Sequence, residues 1–374
     1  MNSSNYYKSW GWWKKMNKPI RVMGIESSCD ETSVSIVEKR DKKINVLSNI
    51  VKSQIDIHKY YGGVVPELAA RAHSDIIDKL IKLAIDQSGL NLKKIDAIAA
   101  TAGPGLLGGL LVGVVAGKTL AHYSNKPFIA INHLEGHALS IKLERDINFP
   151  YLLLLVSGGH TEFTIIKSFN SYKRIGTTID DALGEAFDKT ARLLNLGYPG
   201  GPEIEKYAAS GDKNRFKLPM PLIKEKNSHF SFAGLKSSVA NIVAQHRCTE
   251  KFKRDMAASF QETVNQIILN KTQNAISEYR KLIKSKKDLK IVVAGGVAAN
   301  KSIRQSLEKL GKIEDCEFLF PSIKYCTDNG AMIALAGIER FERNRFNKLN
   351  FKPRPRWPLD KNAIFMKGKR AVEG

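Results

Sequence analysis

The alternation of apolar runs and amphipathic stretches along the chain predicts a layered α/β fold. IRVMGIES, SCDETSVSIVEK and KINVLSNIVKS follow one another from residue 20, which predicts a meander of strands whose first turn is polar and acidic. Residues 73–89 repeat apolar side chains at helical spacing and end at Gly89, which predicts an amphipathic helix. IDAIAATAG and PFIAIN predict strands on either side of a buried helix, GPGLLGGLLVGVVAGKTLAHYS. Because strands that alternate with helices usually pair in parallel, parallel strands are expected in this sheet.

The same order of segments starts again in the second half of the chain. YLLLLVSGGHTEFTIIK (151–167) repeats strand, tight turn and strand, and helical patterns follow around 181–196 and 252–279. LKIVVAGGVAAN (289–300) predicts a buried strand and a Gly-rich turn before a helix near Lys301. The pattern therefore predicts two duplicated α/β halves with a cleft between them. The expected division is an extension (1–21), a first half (22–150), a second half (151–342) and a basic tail (343–374).

Composition excludes several classes of protein. The 374 residues are 43% hydrophobic and 26% charged, as in ordinary globular proteins. No apolar run reaches the roughly 18 residues of a transmembrane helix. The four cysteines lie far apart with no C-x-x-C pair, which fits a reducing compartment and argues against a disulfide framework or a zinc ribbon. We therefore expect a cytoplasmic protein.

The first 21 residues leave one alternative to this location. They are basic and free of acids, but they contain no apolar core of the kind a signal peptide needs. A targeting segment would place the protein in an organellar matrix. An extended or misassigned start is the other interpretation, because Met16 and Met23 both lie near the start of the first predicted strand.

The formal net charge of +22 favours a polyanionic partner, and nucleic acid before others. Two clusters strengthen this hypothesis: residues 280–290 (RKLIKSKKDLK) and the tail 343–374, with ten basic residues against two acids. Solvated lysine-rich faces are the competing interpretation.

Three Gly-rich or acidic turns each follow a predicted buried strand. LVSGGHTEF places Ser157, Gly158 and Gly159 between two strands, where backbone N–H groups are able to approach an anion closely. VVAGGVAANKSIR opens a helix, whose N-terminus favours an anion or nucleotide. The third turn carries Asp30 and Glu31. Each alone is equally a plain turn, but a nucleotide bound between duplicated halves accounts for all three.

Two histidines four residues apart, His133 and His137, are candidate metal ligands. On a helix, residues i and i+4 share a face, so both imidazoles are able to reach one ion. Glu135 lies midway between them, whereas zinc proteases place the acid directly after the first histidine or directly before the second. Asp328, in a polar turn before a helix of small residues, offers the third ligand. Satisfied core histidines are the alternative.

Residues 180–205 open with acids and end in the rigid turn YPGGP. Asp188 and Glu205 are able to accept hydrogen bonds from ribose hydroxyls. The simpler interpretation of Asp188 is pairing with Lys189 or Arg192 on a solvated helix face.

Ten long motifs occur in a fixed order over roughly residues 21–340. They are GIESSCDETS, GGVVPELAARAH, TAGPGLLGGLLVG, NHLEGHALS, LVSGGHTE, GEAFDKTARLL, YPGGPEIE, FSFAGLKSS, VAGGVAANKSIR and YCTDNGAMIA. Together they resemble the universal tRNA threonylcarbamoyltransferase family, bacterial TsaD type, once labelled a sialoglycoprotein endopeptidase. The resemblance implies the actin/Hsp70/sugar-kinase fold, in which two ribonuclease H-like halves enclose a nucleotide cleft.

The resemblance also implies the ligands of the site. His133, His137 and Asp328 are expected to hold one transition-metal ion per subunit, Fe²⁺ or Zn²⁺. The residues expected around the adenylate substrate are Leu155, Val156, Ser157, Gly158, Gly159, Asp188, Gly201, Glu205 and Asn300.

The implied reaction transfers threonylcarbamoyl from threonylcarbamoyl-AMP to N6 of adenosine 37 in the anticodon loop of tRNAs that read codons beginning with A. N6 is a poor nucleophile because its lone pair is delocalised into the ring, so the enzyme must polarise the carbamoyl carbon and hold both reactants close. Asp30 and Glu31 are the candidate acid/base residues. A smaller actin-like paralogue (TsaB type) and a P-loop ATPase (TsaE type) are the expected protein partners, and no membrane is expected.

Other functions fit parts of the pattern. An actin-fold ATPase or sugar kinase uses Mg²⁺ and has no use for a His–His–Asp site. A metallopeptidase needs an acid where Glu135 does not lie. A scaffold role in a multiprotein complex is compatible with catalysis.

Overall fold

The computed structural model describes residues 18–284 and 288–363 of the protein. Most of the predicted extension, Lys286 and Lys287 of the first basic cluster, and the end of the tail lie outside these ranges. Within them, no helix combines the length and the apolar character that a membrane crossing needs. The cytoplasmic location stays a prediction.

The first sheet consists of β1 (Ile20–Glu26), β2 (Glu31–Arg40), β3 (Lys43–Ser53), β4 (Ala97–Gly103) and β5 (Phe128–Asn132). Its order is β3-β2-β1-β4-β5. The first three strands pair antiparallel, and β4 and β5 continue the sheet in parallel with β1. This confirms the predicted meander and the parallel strands after it. Met23 lies inside β1 rather than before it.

The helices of this half are α1 (Ile55–His58), α2 (Pro66–Ser88), α3 (Leu107–Tyr123) and α4 (His133–Leu139). The amphipathic helix predicted over 73–89 is α2, which begins two turns earlier because Pro66 supplies a preset φ at its first position. It ends where predicted, since Gly89 adopts the left-handed conformation with φ of 66°. The Gly-rich stretch forms α3 as expected.

The second sheet consists of β6 (Tyr151–Val156), β7 (Thr161–Ser168), β8 (Ser171–Thr177), β9 (Leu289–Ala294) and β10 (Cys316–Leu319). Its order is β10-β9-β6-β7-β8. β6 is antiparallel to β7 and parallel to β9, just as β1 is antiparallel to β2 and parallel to β4. The two sheets therefore share one topology, and the predicted duplication of the fold is confirmed.

The helices that follow are α5 (Leu183–Leu193), α6 (Gly200–Ala208), α7 (Ala233–Gln245), α8 (Glu250–Ile283), α9 (Lys301–Glu314), α10 (Ile323–Cys326) and α11 (Gly330–Phe341). α5 and α8 correspond to the helices predicted around 181–196 and 252–279. α9 begins at Lys301 as predicted, because the Asn300 side chain accepts a hydrogen bond from the Ile303 N–H at 3.0 Å and caps the helix.

Both faces of the first sheet are buried. Met23 and Ile25 pack into one apolar cluster with α2 and α3, while Val22 points to the opposite face. There it meets a second cluster that includes Ala334 and Leu335 of α11. Alternate side chains of a strand point to opposite faces, so a strand covered on both sides is apolar on both faces, as β1 is from Val22 to Ile25.

α11 therefore packs on the first sheet although it follows the second sheet along the chain. Its approach is close because a glycine of β1 faces it. A Cβ on Gly24 would lie 2.2 Å from the Gly330 carbonyl oxygen and 2.4 Å from the Ala334 nitrogen. The predicted boundary of the second half at residue 342 is not tested by this contact. It shows that α11, although it lies within that predicted half, packs on the first sheet.

Candidate metal centre and adjoining cleft

The two candidate histidines lie on α4, directly after β5. The Asn132 side chain accepts a hydrogen bond from the Leu134 N–H at 2.9 Å, which caps the helix and starts it at His133. His137 follows one turn later on the same face, and the two rings meet edge to face with centroids 4.7 Å apart. Both side chains are buried.

Asp328 reaches the histidines from the turn between α10 and α11. Its Oδ1 atom lies 3.0 Å from His137 Nε2 and 3.5 Å from His133 Nε2. One ligand atom from each of the three residues lies within 4.8 Å of the others. The carboxylate is 17% exposed, so the cluster is open on one side only. The predicted trio is thus brought together by segments far apart in sequence.

Glu26, at the end of β1, is a member of the site that sequence reasoning missed. Its Oε2 atom lies 3.0 Å from His133 Nδ1, on the side of the ring opposite Asp328. The Thr101 hydroxyl donates to the same carboxylate at 2.6 Å, and the Ser28 N–H donates to it at 2.6 Å. Glu26 is fully buried at the end of a strand that is apolar from Val22 to Ile25.

Opposite charges set the protonation of this centre. Burial alone would raise the pKa of Asp328, but the imidazoles of His133 and His137 hold it well below its ordinary value. Burial would lower the pKa of His133, but the Asp328 and Glu26 carboxylates raise it to about 9. The two buried carboxylates therefore favour a positive charge between them.

The donor set fits a divalent transition metal. Two imidazole nitrogens and one carboxylate oxygen converge, which leaves a coordination position for a substrate oxygen, as in catalytic sites. Metal-bound histidines commonly donate their other N–H to a carboxylate, and Glu26 is in that position for His133. A metal cation would also balance the negative charges of the Glu26 and Asp328 carboxylates.

Glu135, the acid between the histidines, is engaged elsewhere. The Arg340 guanidinium donates to Glu135 Oε2 at 2.5 Å, and the Tyr172 hydroxyl donates to Oε1 at 3.1 Å. The carboxylate is fully buried in this pair. Glu135 therefore joins α4 to α11 and to the second sheet. Its position does not support a role as the catalytic base of a peptidase.

The acidic turn between β1 and β2 lies beside the centre. Burial, the adjacent Asp30 and the charge of Asp328 raise the pKa of Glu31 well above its ordinary value. His73, on α2, fixes this turn. Its Nε2 lies 3.0 Å from the Cys29 carbonyl oxygen and its Nδ1 lies 2.7 Å from the Thr32 hydroxyl.

The Gly turn of the second half faces the same region. Gly158 and Gly159 are exposed, and a Cβ on either would meet no atom within 4 Å, so the turn is open on its outer side. Leu155 and Val156 are buried in β6.

Burial and the imidazoles of His133 and His137 lower the pKa of His160, the residue after the turn, to about 4. His160 is therefore a further neighbour of the centre that sequence reasoning missed.

Asp188 is not part of a solvated ion pair. Its Oδ1 atom accepts a hydrogen bond from the Gly200 N–H at 2.7 Å, next to Gly201 at the start of α6. Lys189 instead pairs with Asp181 and Glu185. Burial raises the pKa of Asp188 to about 6, although the Gly200 hydrogen bond lowers it. The simpler interpretation therefore named the wrong partner: Asp188 binds the Gly200 N–H and not Lys189.

Glu205 and Asn300 lie on either side of a junction between α6 and α9. Glu205 Oε1 accepts a hydrogen bond from the Lys301 N–H at 2.6 Å, and the Asn300 side-chain amide donates to Gln261 at 2.9 Å. A cavity of about 580 Å³ opens beside this junction. Its walls come from α6, α8 and α9, and its polar lining residues include Glu205, Lys206, Gln261, Asn265, Lys301 and Gln305.

The two halves face each other across this region. The charge of Asp30, from the first half, raises the pKa of Asp188 and the pKa of Tyr198, which both belong to the second half. Burial is the larger cause at both groups. The acidic turn of the first half and Asp188 of the second half are therefore neighbours.

Comparison with known proteins identifies close relatives. The family described as "TsaD: tRNA N6-adenosine threonylcarbamoyltransferase" matches residues 45–335. A Pelagibacter ubique (strain HTCC1062) protein named tRNA N6-adenosine threonylcarbamoyltransferase is 54% identical over 94% of this chain and 99% of its own. A Brucella ovis protein of the same name is 49% identical over 95% of this chain and 100% of its own.

Among solved structures, the chain is similar in fold to HypF. The T. kodakarensis HypF structure aligns with a TM-score of 0.59 at 13% identity, over 88% of this chain and 48% of that one. A full-length HypF in phosphate- and nucleotide-bound form gives a TM-score of 0.57 at 14% identity, over 89% and 48%. Together with the duplicated sheets, this confirms the actin/Hsp70/sugar-kinase-like fold.

Proposed function

Since the chain belongs to the tRNA N6-adenosine threonylcarbamoyltransferase family, we propose that its donor is threonylcarbamoyl-AMP and its acceptor is N6 of adenosine 37 in tRNAs that read codons beginning with A. It is an acyltransferase that acts on tRNA. The observation that carries the proposal is the convergence of His133, His137 and Asp328 beside the second half. The helix of both histidines, α4, packs through Leu134 against β6, the strand that leads into the open Gly turn.

The donor is proposed to lie along the second half. In the predicted stretch Leu155–Gly159, the N–H groups of Gly158 and Gly159 are suited to the phosphate, because glycines allow close approach of the backbone. Asp188, Gly201, Glu205 and Asn300 are proposed to hold the adenosine part. In support, Asp188 binds the start of α6, and Glu205 lines the cavity beside the junction of α6 and α9.

His133, His137 and Asp328 are proposed to hold the ion, Fe²⁺ or Zn²⁺. When bound, such an ion acts as a Lewis acid on the carbamoyl oxygen and as a template for the substrate, effects worth several kcal/mol in typical sites. Glu26 keeps His133 in the orientation and tautomer that present Nε2 to the cluster.

The transfer step needs a group that accepts a proton. N6 attacks the carbamoyl carbon, the new C–N bond forms, the bond from that carbon to the phosphate oxygen breaks, and AMP leaves. The N6 proton is proposed to pass to the Asp30–Glu31 pair. Glu31 is suited to hold it, because burial and neighbouring carboxylates raise its pKa well above the ordinary value.

The expected protein partners, a smaller actin-like paralogue and a P-loop ATPase, remain proposals. A membrane partner is not proposed.

The proposal is tested by mass spectrometry of tRNA nucleosides after depletion of the protein. We expect loss of threonylcarbamoyl-adenosine and its return with the parent chain. His133→Ala and Asp328→Ala should not restore it, and both purified variants should lose transition metal while remaining folded, because the ligands lie at helix and turn ends. His246→Ala, an exposed histidine beyond the end of α7, is the matched control and should restore the nucleoside.

Unchanged nucleoside levels after depletion would exclude the proposed reaction. A protein that contains only Mg²⁺ and stays active as His133→Ala would favour an actin-fold kinase instead.

A further inference from the structure

Residues 343–357 form a basic segment that returns from α11 across the first sheet. The segment, RNRFNKLNFKPRPRW, contains six basic residues and no acid. The Asn347 N–H donates to the Phe128 carbonyl oxygen at 2.9 Å, and the Asn347 side chain accepts from the Ala130 N–H at 2.9 Å. The Arg354 N–H donates to the Ala102 carbonyl oxygen at 2.7 Å. We call this segment the basic strap.

The basic strap ends beside the metal centre. The Asn132 amide donates to the Trp357 carbonyl oxygen at 2.9 Å while its oxygen caps the helix that begins with His133. The Gly105 N–H donates to the Pro355 carbonyl oxygen at 3.2 Å. The strap therefore contacts the residue directly before one metal ligand, through fixed backbone hydrogen bonds.

Three charges of the strap lie at the surface, whereas Arg343 pairs with Glu339 at 2.8 Å. Lys348, Lys352 and Arg354 are exposed. The Arg354 guanidinium carbon lies 5.1 Å from the Phe351 ring centre and 5.2 Å from that of Trp357. Contact with aromatic rings through the guanidinium face orients the group and leaves its in-plane N–H donors available to a planar or tetrahedral oxyanion.

The acids that flank the strap are already engaged. Lys39 pairs with Glu342 at 2.7 Å, before the strap, and the Arg174 N–H donates to the Asp360 carboxylate at 3.0 Å, after it. The strap thus presents a row of positive charge, held in place by backbone contacts, next to a site for a reacting group.

We propose that the basic strap binds the phosphate backbone of the polynucleotide acceptor, on the strand that flanks the base presented to the metal centre. This inference rests on the proposed function, which supplies a tRNA acceptor. A single-stranded loop has bases that are already accessible, so the protein needs contacts to the flanking phosphates to hold it.

The test compares two triple variants of the full chain. K348Q/K352Q/R354Q removes three strap charges, and K79Q/K82Q/K94Q removes three exposed charges on and after α2. Binding of unmodified tRNA is measured over a range of salt concentrations, and AMP binding and urea unfolding are measured in parallel. Each lost phosphate contact should reduce the slope of log K against log salt by about 0.7, so the strap variant should lose roughly 2 units of slope.

We expect the control to keep the parent slope and both variants to bind AMP and unfold like the parent. Equal slopes for parent and strap variant, with tRNA still bound, would overturn the strap proposal and leave the proposed function standing. A parent chain that binds AMP but shows no salt-dependent tRNA binding would overturn both. Equally tight binding of poly-glutamate to the parent, lost in the strap variant, would assign the strap to an acidic protein and overturn a nucleic-acid role.

Discussion

Single carboxylates around α4 differ in function because their partners differ. Glu26 lies against the Nδ1 atom of His133, so it acts on the metal centre through a ligand. Glu135, two residues from each histidine along the same helix, is bound to Arg340 and Tyr172 instead. The role of an acid is thus decided by the side chains that meet it.

Replacing Glu26 with Gln should weaken metal binding about 10- to 100-fold, as for other outer partners of metal-bound histidines. The amide keeps the shape of the side chain but removes the charge that favours a cationic or metal-bound imidazole. Chelator competition measures the effect. Glu162→Gln, a buried acid of β7, is the control and should leave metal affinity at the parent level. Equal affinities for parent and Glu26→Gln would contradict the role given to Glu26.

At this scale the sequence could predict the ligands but not their supports. His133 and His137 carry a spacing signal, and Asp328 lies in a recognisable turn before a helix. Glu26, His73 and His160 carry none, because their roles depend on contacts between segments that are distant along the chain. Glu26 is 107 residues from His133, and no periodic pattern links them.

At the scale of helices and strands, α11 determines where Asp328 lies. Its small residues were predicted as a helix, but periodicity does not say which sheet a helix covers. The contact that decides it is between backbones: Gly24 of β1 lies under Gly330 and Ala334. Asp328 and Asn329 directly precede this helix, and the Asn329 side chain accepts from the Met332 N–H at 3.0 Å.

Gly24→Ala should therefore destabilise the protein by about 1–3 kcal/mol or more, because the added methyl group meets backbone atoms that cannot rotate away. The displaced helix should also lower metal affinity through Asp328. Urea unfolding and chelator competition measure the two effects. Gly234→Ala is the control, since its Cβ would meet only the Pro221 ring at 3.6 Å and alanine favours a helix. Parent-like stability of Gly24→Ala would show that α11 is not held at this contact.

At the scale of the whole molecule, the residues that follow the basic strap tie the halves together. Leu359 is 8% exposed and packs in one cluster with Leu134 and Ala138 of α4 and Leu155 of β6. Asp360 then accepts the hydrogen bond from β8. The segment that the sequence predicts only as a basic tail thus contributes a side chain to the core. Its charge did not predict this packing.

Leu359→Ala should cost about 2–5 kcal/mol of unfolding free energy, as expected for a buried leucine. Leu349→Ala, in the exposed part of the strap, removes the same atoms from a side chain that is 41% exposed and should cost much less. Urea unfolding of the two full-length variants measures the difference. Equal losses would mean that Leu359 does not join the halves.

The position of α11 has a consequence for the order of events on the ribosome. The face of the first sheet that carries Val22 and Ala99 is covered by α11, which is synthesised only after the second sheet. His137 and Asp328 are 191 residues apart, which at about 5–20 residues per second is a delay of about 10 to 40 s. During that interval the nascent first half exposes an apolar face and lacks a ligand. It therefore cannot close around a metal until most of the second half has been synthesised.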